Sequence, residues 1–127
     1  MIGALDHVAL GVRDLEERIT FLTGSLGMTV KRRGTHFKSG RPIALLADKN
    51  GFKLELIEAD VEEPTFMHLA CRVDDVAGEY DQLLKDGCEG IRGPHELKAS
   101  KSETAIVQDQ SKLQVQIIKY EADSPDL

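Results

Sequence analysis

Two stretches of this 127-residue chain follow the same residue pattern. LDHVALGV begins at residue 5 and FMHLACRV at residue 66, so that His7 corresponds to His68, 61 positions later. A second pair of segments, 53–57 and 114–118, keeps this offset and aligns Glu55 with Gln116. A repeat that covers nearly the whole chain in two copies predicts a fold built from two similar modules.

Each copy predicts a strand, a helix and three further strands. Residues 4–12 alternate in polarity as a strand does, and Asp14 followed by Glu17 is typical of a helix start. Gly27 marks the end of that helix. Its predicted buried stripe consists of Leu15, Ile19, Leu22 and Leu26. Further strands are predicted at 28–33, 42–47 and 52–59, with an Asn50-Gly51 hairpin turn before the last.

The second copy repeats these features without a gap. Asp75 provides a second helix cap, and the corresponding stripe positions are Val76, Tyr80, Leu83 and Gly87. A chain of this length fits one domain with a real hydrophobic core. We therefore predict a single α+β domain of two tandem βαβββ modules, at about 4–60 and 65–121. The polar tail, residues 122–127, is expected to be frayed.

Composition excludes several classes of protein. With 41% hydrophobic and 30% charged residues and a net charge of −6, the chain is typical of a soluble globular protein and not of a nucleic-acid-binding one. It shows neither a signal peptide nor a run of about 18 apolar residues, so we expect a cytoplasmic protein without membrane association. Cys71 and Cys88 lack CxxC spacing and are expected to be reduced thiols.

The repeat brings four polar side chains into registry. If the modules pack with pseudo-twofold symmetry, His7 meets His68 and Glu55 meets Gln116. Strand alternation turns His7 away from apolar Val8. Two imidazoles, a carboxylate and an amide oxygen suit one first-row divalent metal ion with water in the open positions. A lone strand histidine is more often hydrogen-bonded scaffolding than a ligand, and a lone glutamate in KLELIE could belong to a solvated face. The shared offset favours the metal site.

The segments LDHVALGVRDLEERITFLTGSLGM, KLELIE, MHLACRVDD and LQVQII resemble the vicinal oxygen chelate superfamily. That superfamily includes glyoxalase I, methylmalonyl-CoA epimerase, extradiol dioxygenases, fosfomycin-resistance enzymes and bleomycin-binding proteins. The resemblance covers nearly all of residues 4–120. It implies an open, cup-shaped, mostly antiparallel sheet with helices outside, often in a homodimer. By motif it implies His7, Glu55, His68 and Gln116 as ligands of one divalent ion, for which nickel, cobalt, zinc, manganese and iron are all compatible.

The resemblance implies chemistry through a metal-bound enolate or enediolate. Gln116 stands where the family usually has glutamate, and an amide cannot take a proton at neutral pH, so Glu55 is the carboxylate placed to act as base. We therefore expect a glyoxalase-like or epimerase-like isomerase or lyase. A non-catalytic binding protein of the bleomycin-resistance kind is the alternative, and an extradiol dioxygenase-like oxygenase ranks third. Gly11 and Ala59 replace the arginine and asparagine of glutathione-type glyoxalase I, so glutathione recognition is not expected.

Positive charge concentrates in residues 31–41 of an otherwise acidic chain. With His36 and Arg41, this segment either steers a carboxylate, phosphate or coenzyme A tail toward the site or is a solvated loop. His36 and His95 are expected in loops and lack repeat partners, so neither is predicted to bind the metal.

Arg72 is the second candidate for substrate binding. On its strand it follows His68 at the spacing of residues that share a face. It is either an anchor for an anionic substrate or the ion-pair partner of Asp74 or Asp75. The expected partner of the protein is accordingly a small, anionic, oxygenated molecule.

Overall fold

The structure is a computed structural model, and it describes residues 3–127. Within these residues, strands and helices follow in the predicted order, which confirms the α+β class and the two βαβββ modules. The elements are β1 (Ala4–Val12), α1 (Leu15–Gly24), β2 (Thr29–Thr35), β3 (Pro42–Ala47), β4 (Lys53–Glu58), β5 (Thr65–Arg72), α2 (Val76–Lys85), β6 (Glu89–Leu97), β7 (Ser102–Gln108) and β8 (Gln114–Tyr120).

The described chain divides into two compact units. The first unit is His7–Met67, and the second unit joins residues 3–6 to His68–Leu127. The divisions fall inside β1 and β5, so His7 opens the first unit and His68 opens the long segment of the second. Strands β1 and β5 begin 61 positions apart, so His7 and His68 hold equivalent positions in them.

In the first unit the strands lie in the order β2-β3-β4-β1. The β2–β3 and β3–β4 pairs are antiparallel, and β4 is parallel to β1. Helix α1 packs on one face of this sheet, where the buried cluster is Val12, Leu15, Ile19, Ala44, Leu46 and Leu56. Because side chains alternate along a strand, the odd-numbered residues of β1 and β4 lie on the opposite face.

The second unit repeats this plan in the order β5-β8-β7-β6. Its buried cluster beneath α2 is Val73, Val76, Ala105 and Ile117. In the first unit Ala9 is paired with Glu55, and in the second Ala70 is paired with Gln116. Both members of one pair lie 61 positions from those of the other, so the sequence repeat is preserved in the strand register.

Both predicted helix caps are present. The Oδ1 atom of Asp14 accepts the amide of Glu17 at 3.0 Å, and Oδ1 of Asp75 accepts the amide of Gly78 at 3.0 Å. Each cap satisfies one of the amides that a helix start leaves without an intrahelical partner. Of the two helices in the described residues, each ten residues long, neither is long and apolar enough to cross a membrane.

Two local predictions are wrong. Leu26 lies beyond the end of α1 and is 60% exposed, because the helix stops at Gly24 and the chain turns through Gly27, whose φ is +72°. His95 lies in strand β6 and not in a loop, although Pro94 precedes it. The pairing of β6 with β7 shifts register between Arg92 and His95, and such an irregularity accommodates a proline in a strand.

The C-terminal tail is ordered against the second unit, so the prediction of a frayed tail is also wrong. Ser124 and Asp126 are buried. The Ser124 hydroxyl donates to the carbonyl of Ser100, and the amide of Glu121 donates to the carbonyl of Lys101 at 2.9 Å. Hydrogen bonds between polar groups hold the tail, and such contacts cannot be predicted from the low content of apolar residues in this segment.

The two cysteines are free thiols, as predicted. Cys71 lies within β5 and is partly buried. Burial, with a smaller contribution from the nearby carboxylate of Asp6, raises the pKa of the Cys71 thiol. A thiol with a raised pKa is a poor nucleophile and a poor metal ligand, so Cys71 serves as a packing residue.

Candidate metal centre

His7 and Glu55 lie together on the face of the first unit opposite helix α1. Glu55 pairs with Ala9 in the parallel β1–β4 register, which places His7 one side-chain step away on the same face. A ring nitrogen of His7 and a carboxylate oxygen of Glu55 lie within 4.8 Å of each other. Ligand atoms bound about 2.1 Å from one ion are at most roughly 4.2 Å apart, so a small side-chain adjustment lets these two share an ion.

Lys53 shares this face and is not among the predicted site residues. It is the register partner of His7 and precedes Glu55 by two positions, and it is 9% exposed. A lysine is rarely buried to this extent without a polar partner. Strand alternation already predicts that Lys53 lies on the same face as Glu55, because residues two apart on a strand share a face.

His68 and Gln116 hold the equivalent positions in the second unit. Gln116 pairs with Ala70 in the parallel β5–β8 register, and His68 is two residues before Ala70 on the same strand face. Gln116 is buried, and the Nε2 atom of His68 is shielded from solvent. Each unit therefore places one imidazole beside one oxygen-bearing side chain in the same register, with a carboxylate in one unit and an amide in the other.

Hydrogen bonds hold the amide of Gln116. Its Nε2 atom donates to the hydroxyl oxygen of Thr104 at 2.9 Å, and that hydroxyl donates to the carbonyl of Ile117 at 2.7 Å. Thr104 is 1% exposed on strand β7. The repeat does not reveal Thr104, because its counterpart in the first unit is an apolar residue, Ile43.

Arg72 forms an ion pair with Asp6, and not with Asp74 or Asp75 as one reading of the sequence predicts. Nε of Arg72 donates to Oδ1 of Asp6 at 2.8 Å, and the guanidinium carbon lies 5.3 Å from the centroid of the Tyr120 ring. The hydroxyl of Tyr120 donates to Oδ2 of the same carboxylate at 2.5 Å. Asp75 instead caps helix α2. The Asp6 partner is far away in sequence, so local charge patterns do not reveal it.

The Asp6 carboxylate is fully buried, whereas the side chain of Arg72 is 44% exposed. Burial and the hydrogen bond to Asp6 raise the pKa of the Tyr120 hydroxyl, so Tyr120 stays a neutral donor. Arg72 and Tyr120 line a cavity of about 290 Å³ whose rim includes Lys119. The exposed part of the guanidinium can therefore meet an anion in this cavity while its Nε atom remains bound to Asp6.

Removal of the Tyr120 hydroxyl should destabilise the protein. Tyr120→Phe deprives a buried carboxylate oxygen of a donor, and we expect the free energy of unfolding in urea to fall by about 1–3 kcal/mol. Tyr80→Phe is the matched control, because Tyr80 packs on the edge of the second-unit core without a hydrogen bond to a buried charge. A loss for Tyr120→Phe no larger than that for Tyr80→Phe would contradict this role.

His36 and Arg41 lie at the two ends of the loop between β2 and β3. Arg41 binds Asp60 at 2.9 Å and Glu58 at 3.3 Å, so nearby carboxylates compensate much of its charge. Nδ1 of His36 accepts two backbone amides of the loop. Burial, and then the charge of Lys38, lower the pKa of His36, which favours its neutral form at pH 7.

Two βαβββ units, each with an imidazole and an oxygen-bearing side chain at equivalent strand positions, define a class of duplicated α+β proteins. The family comparison identifies that class. The Glyoxalase/Bleomycin resistance protein/Dioxygenase superfamily model matches residues 4–117, and the chain belongs to this superfamily. The resemblance inferred from the sequence is thereby confirmed.

Two bacterial proteins are similar to this chain in sequence. The uncharacterized protein YwbC of Bacillus subtilis (strain 168) is 34% identical over 91 residues, which are 67% of this chain and 72% of YwbC. A probable lactoylglutathione lyase of Vibrio cholerae serotype O1 is 27% identical over 121 residues, covering 89% of this chain and 88% of that protein.

Solved structures show the same fold. Methylmalonyl-CoA epimerase from Mycobacterium tuberculosis superposes with a TM-score of 0.82 at 21% identity, covering 94% of this chain and 89% of that one. A variant of Streptomyces coelicolor methylmalonyl-CoA epimerase, in complex with 2-nitronate-propionyl-CoA, gives a TM-score of 0.80 at 16% identity and covers 96% of this chain and all of that one. At these identities the likeness establishes the fold.

Proposed function

We propose that this protein is a metal-dependent isomerase or lyase, glyoxalase-like or epimerase-like, that acts on a small oxygenated substrate through an enolate or enediolate. The observation that carries the proposal is that an imidazole and an oxygen donor lie on the same sheet face at equivalent strand positions in both units. A solvated strand face or a purely structural histidine does not require matched pairs of this kind.

We propose His7, Glu55, His68 and Gln116 as the ligands of one divalent ion. Two imidazoles, one carboxylate and one amide oxygen form a mixed set that suits nickel, cobalt, zinc, manganese or iron(II). An ion bound by these side chains would supply Lewis-acid stabilisation of negative charge on the substrate oxygens. The family supports this assignment, because the four residues occupy the ligand positions that its motifs imply.

Glu55 is the proposed catalytic base. Its carboxylate has two oxygens, so one can bind the ion while the other takes a proton from one substrate carbon and returns it to the next. Gln116 cannot share this task, because an amide does not accept a proton at neutral pH. Lys53 is buried on the same strand face as Glu55 and lies in register with His7.

We propose Arg72 as the anchor of that anionic substrate, with His36 and Arg41 as further contacts. The free part of the Arg72 guanidinium supports this role, whereas Arg41 would have to exchange Asp60 for the substrate. A glutathione adduct is disfavoured as the substrate. At Gly11, a Cβ atom would already lie 3.2 Å from the Met67 sulfur, so an arginine there requires that side chain to move.

We further propose that the protein is cytoplasmic and acts as a homodimer. The first statement rests on a composition typical of a soluble globular protein, with 41% hydrophobic and 30% charged residues. Large apolar side chains on the surface support the second, with Phe52 74% exposed and Leu5 66% exposed.

Metal analysis and proton exchange test this function. Protein purified without chelators should contain one equivalent of divalent metal. In D₂O it should then transfer deuterium into an acyl-CoA or a 2-oxoaldehyde–thiol adduct, with loss of exchange on chelation and recovery on readdition of metal. A protein that neither contains nor takes up a divalent ion would instead support the bleomycin-resistance kind of binding protein. Metal with consumption of O₂ would support the dioxygenase.

A further inference from the structure

We propose that Thr104 is a positioning residue that determines which end of the Gln116 amide is presented as a ligand. The inference rests on the proposed function, since it assumes that Gln116 contributes an oxygen to the metal. Thr104 and Gln116 both lie on the face of the second unit opposite helix α2, and their side chains are in direct hydrogen-bond contact.

The direction of the hydrogen bonds follows from counting protons. The carbonyl oxygen of Ile117 can only accept, so the single hydroxyl proton of Thr104 is donated to it at 2.7 Å. The hydroxyl oxygen of Thr104 can then only accept from Gln116. Of the two ends of an amide only the nitrogen donates, so Nε2 faces Thr104 and Oε1 is directed elsewhere.

Burial makes this orientation costly to reverse. Thr104 is 1% exposed and Gln116 is 9% exposed, so water does not readily replace either partner. A flipped amide would place its carbonyl oxygen against the hydroxyl oxygen, with two acceptors in contact. Thr104 could relieve that contact only by giving up its bond to Ile117, which would leave a buried carbonyl short of a donor.

Only the second unit has a hydrogen-bonding side chain at this position, and the nature of the oxygen donor in the first unit gives the reason. Position 43 is equivalent to position 104, and it is Ile43, which pairs with Ile57 as Thr104 pairs with Ile118. The oxygen donor of that unit is a carboxylate, whose two oxygens are chemically alike. A carboxylate therefore presents an oxygen in either orientation, whereas an amide needs a hydrogen-bond partner to fix which of its oxygen and nitrogen atoms faces the ion.

Side-chain amide NMR of the metal-free protein tests the orientation directly. The Gln116 NH₂ signals are assigned by their absence in Gln116→Ala. One of these protons should exchange with water at least tenfold more slowly than those of an exposed glutamine, and Thr104→Val should remove this protection. Thr104→Ser should keep it, because serine can also accept from Nε2 and donate to Ile117. Equal exchange in the wild type and Thr104→Val would overturn the inference.

Metal titration, with zinc as the probe, tests the consequence. Partners of metal ligands typically contribute 10–100-fold in affinity, so Thr104→Val should weaken zinc binding by about that factor. Gln116→Ala should weaken it at least as much, and the double variant should show no further loss. Ser102→Ala is the matched control, because it removes a buried hydroxyl of the same strand that bonds to Ser100; it should bind zinc like the wild type.

The outcomes separate the two proposals. A wild type that takes up no zinc, nickel, cobalt, manganese or iron(II) would refute the metal function, and the amide exchange would still decide whether Thr104 orients Gln116. A wild type that binds zinc, with Thr104→Val unchanged or with losses that add fully in the double variant, would refute the role of Thr104 alone.

Discussion

Replacing His7 and His68 together by alanine should reduce the affinity for a divalent metal by more than about 100-fold, since loss of a mere partner of a ligand already costs up to that much. The double variant retains only two of the four proposed ligands, Glu55 and Gln116. Both offer oxygen atoms, and without an imidazole nitrogen such a site has little preference for a first-row transition metal over magnesium or calcium. We expect one equivalent of metal in the wild type and none in the variant after gel filtration, with binding measured in competition with a chromophoric chelator.

The control for this prediction is His95→Ala. His95 lies on β6, where its Nδ1 atom is 2.7 Å from the carbonyl of Gly93, and it has no histidine partner in the repeat. It should retain one equivalent of metal. Circular dichroism of each variant establishes that the fold is intact. Stoichiometric metal in a folded His7→Ala, His68→Ala protein would show that these histidines are not the ligands.

The repeat explains why so much of the fold could be predicted from the sequence. A constant offset requires that every element of one unit has a counterpart in the other. The two helix caps, at Asp14 and Asp75, and the pairings of Glu55 and Gln116 all follow it. Alternation along strands then separates the apolar residues beneath the helices from the polar residues on the other face.

Two features of the site that have no counterpart in the repeat were not revealed by the sequence. Thr104 has an apolar counterpart, and Asp6 reaches Arg72 across 66 positions of sequence. In both cases a tertiary hydrogen bond between buried groups decides the arrangement, and such bonds have no local periodicity. The ordered tail was missed for the same reason, because hydroxyl and backbone groups around Ser124 fix it without an apolar residue.

The difference between the two units also concerns charge. With Glu55 in one unit and Gln116 in the other, the proposed ligand set has one negative charge where a pair of glutamates would have two. A less negative set leaves more of the ion's positive charge to act on substrate oxygens. It also leaves Glu55 as the single carboxylate of the proposed ligand set. In the proposed mechanism, the second unit orients a neutral oxygen through Thr104 and the first unit supplies the base.

Glu55→Gln should therefore abolish turnover while the fold and the metal remain. An amide keeps an oxygen that can bind the ion but cannot accept a proton, and the loss of a general base lowers kcat by about 10²–10⁴-fold. Steady-state rates and deuterium exchange from D₂O should fall together. Glu62→Gln, which alters an exposed carboxylate paired with Arg13, should keep wild-type rates.

A swapped variant, Glu55→Gln with Gln116→Glu, distinguishes the base from the charge of the ligand set. It has the same number of carboxylates as the wild type, so an effect of net charge alone would be repaired. If the base must act from strand β4, the swap does not restore it. We therefore expect the swapped protein to bind metal yet remain at least 100-fold slower than the wild type. Full activity of Glu55→Gln, with metal bound, would instead mean that another group moves the proton.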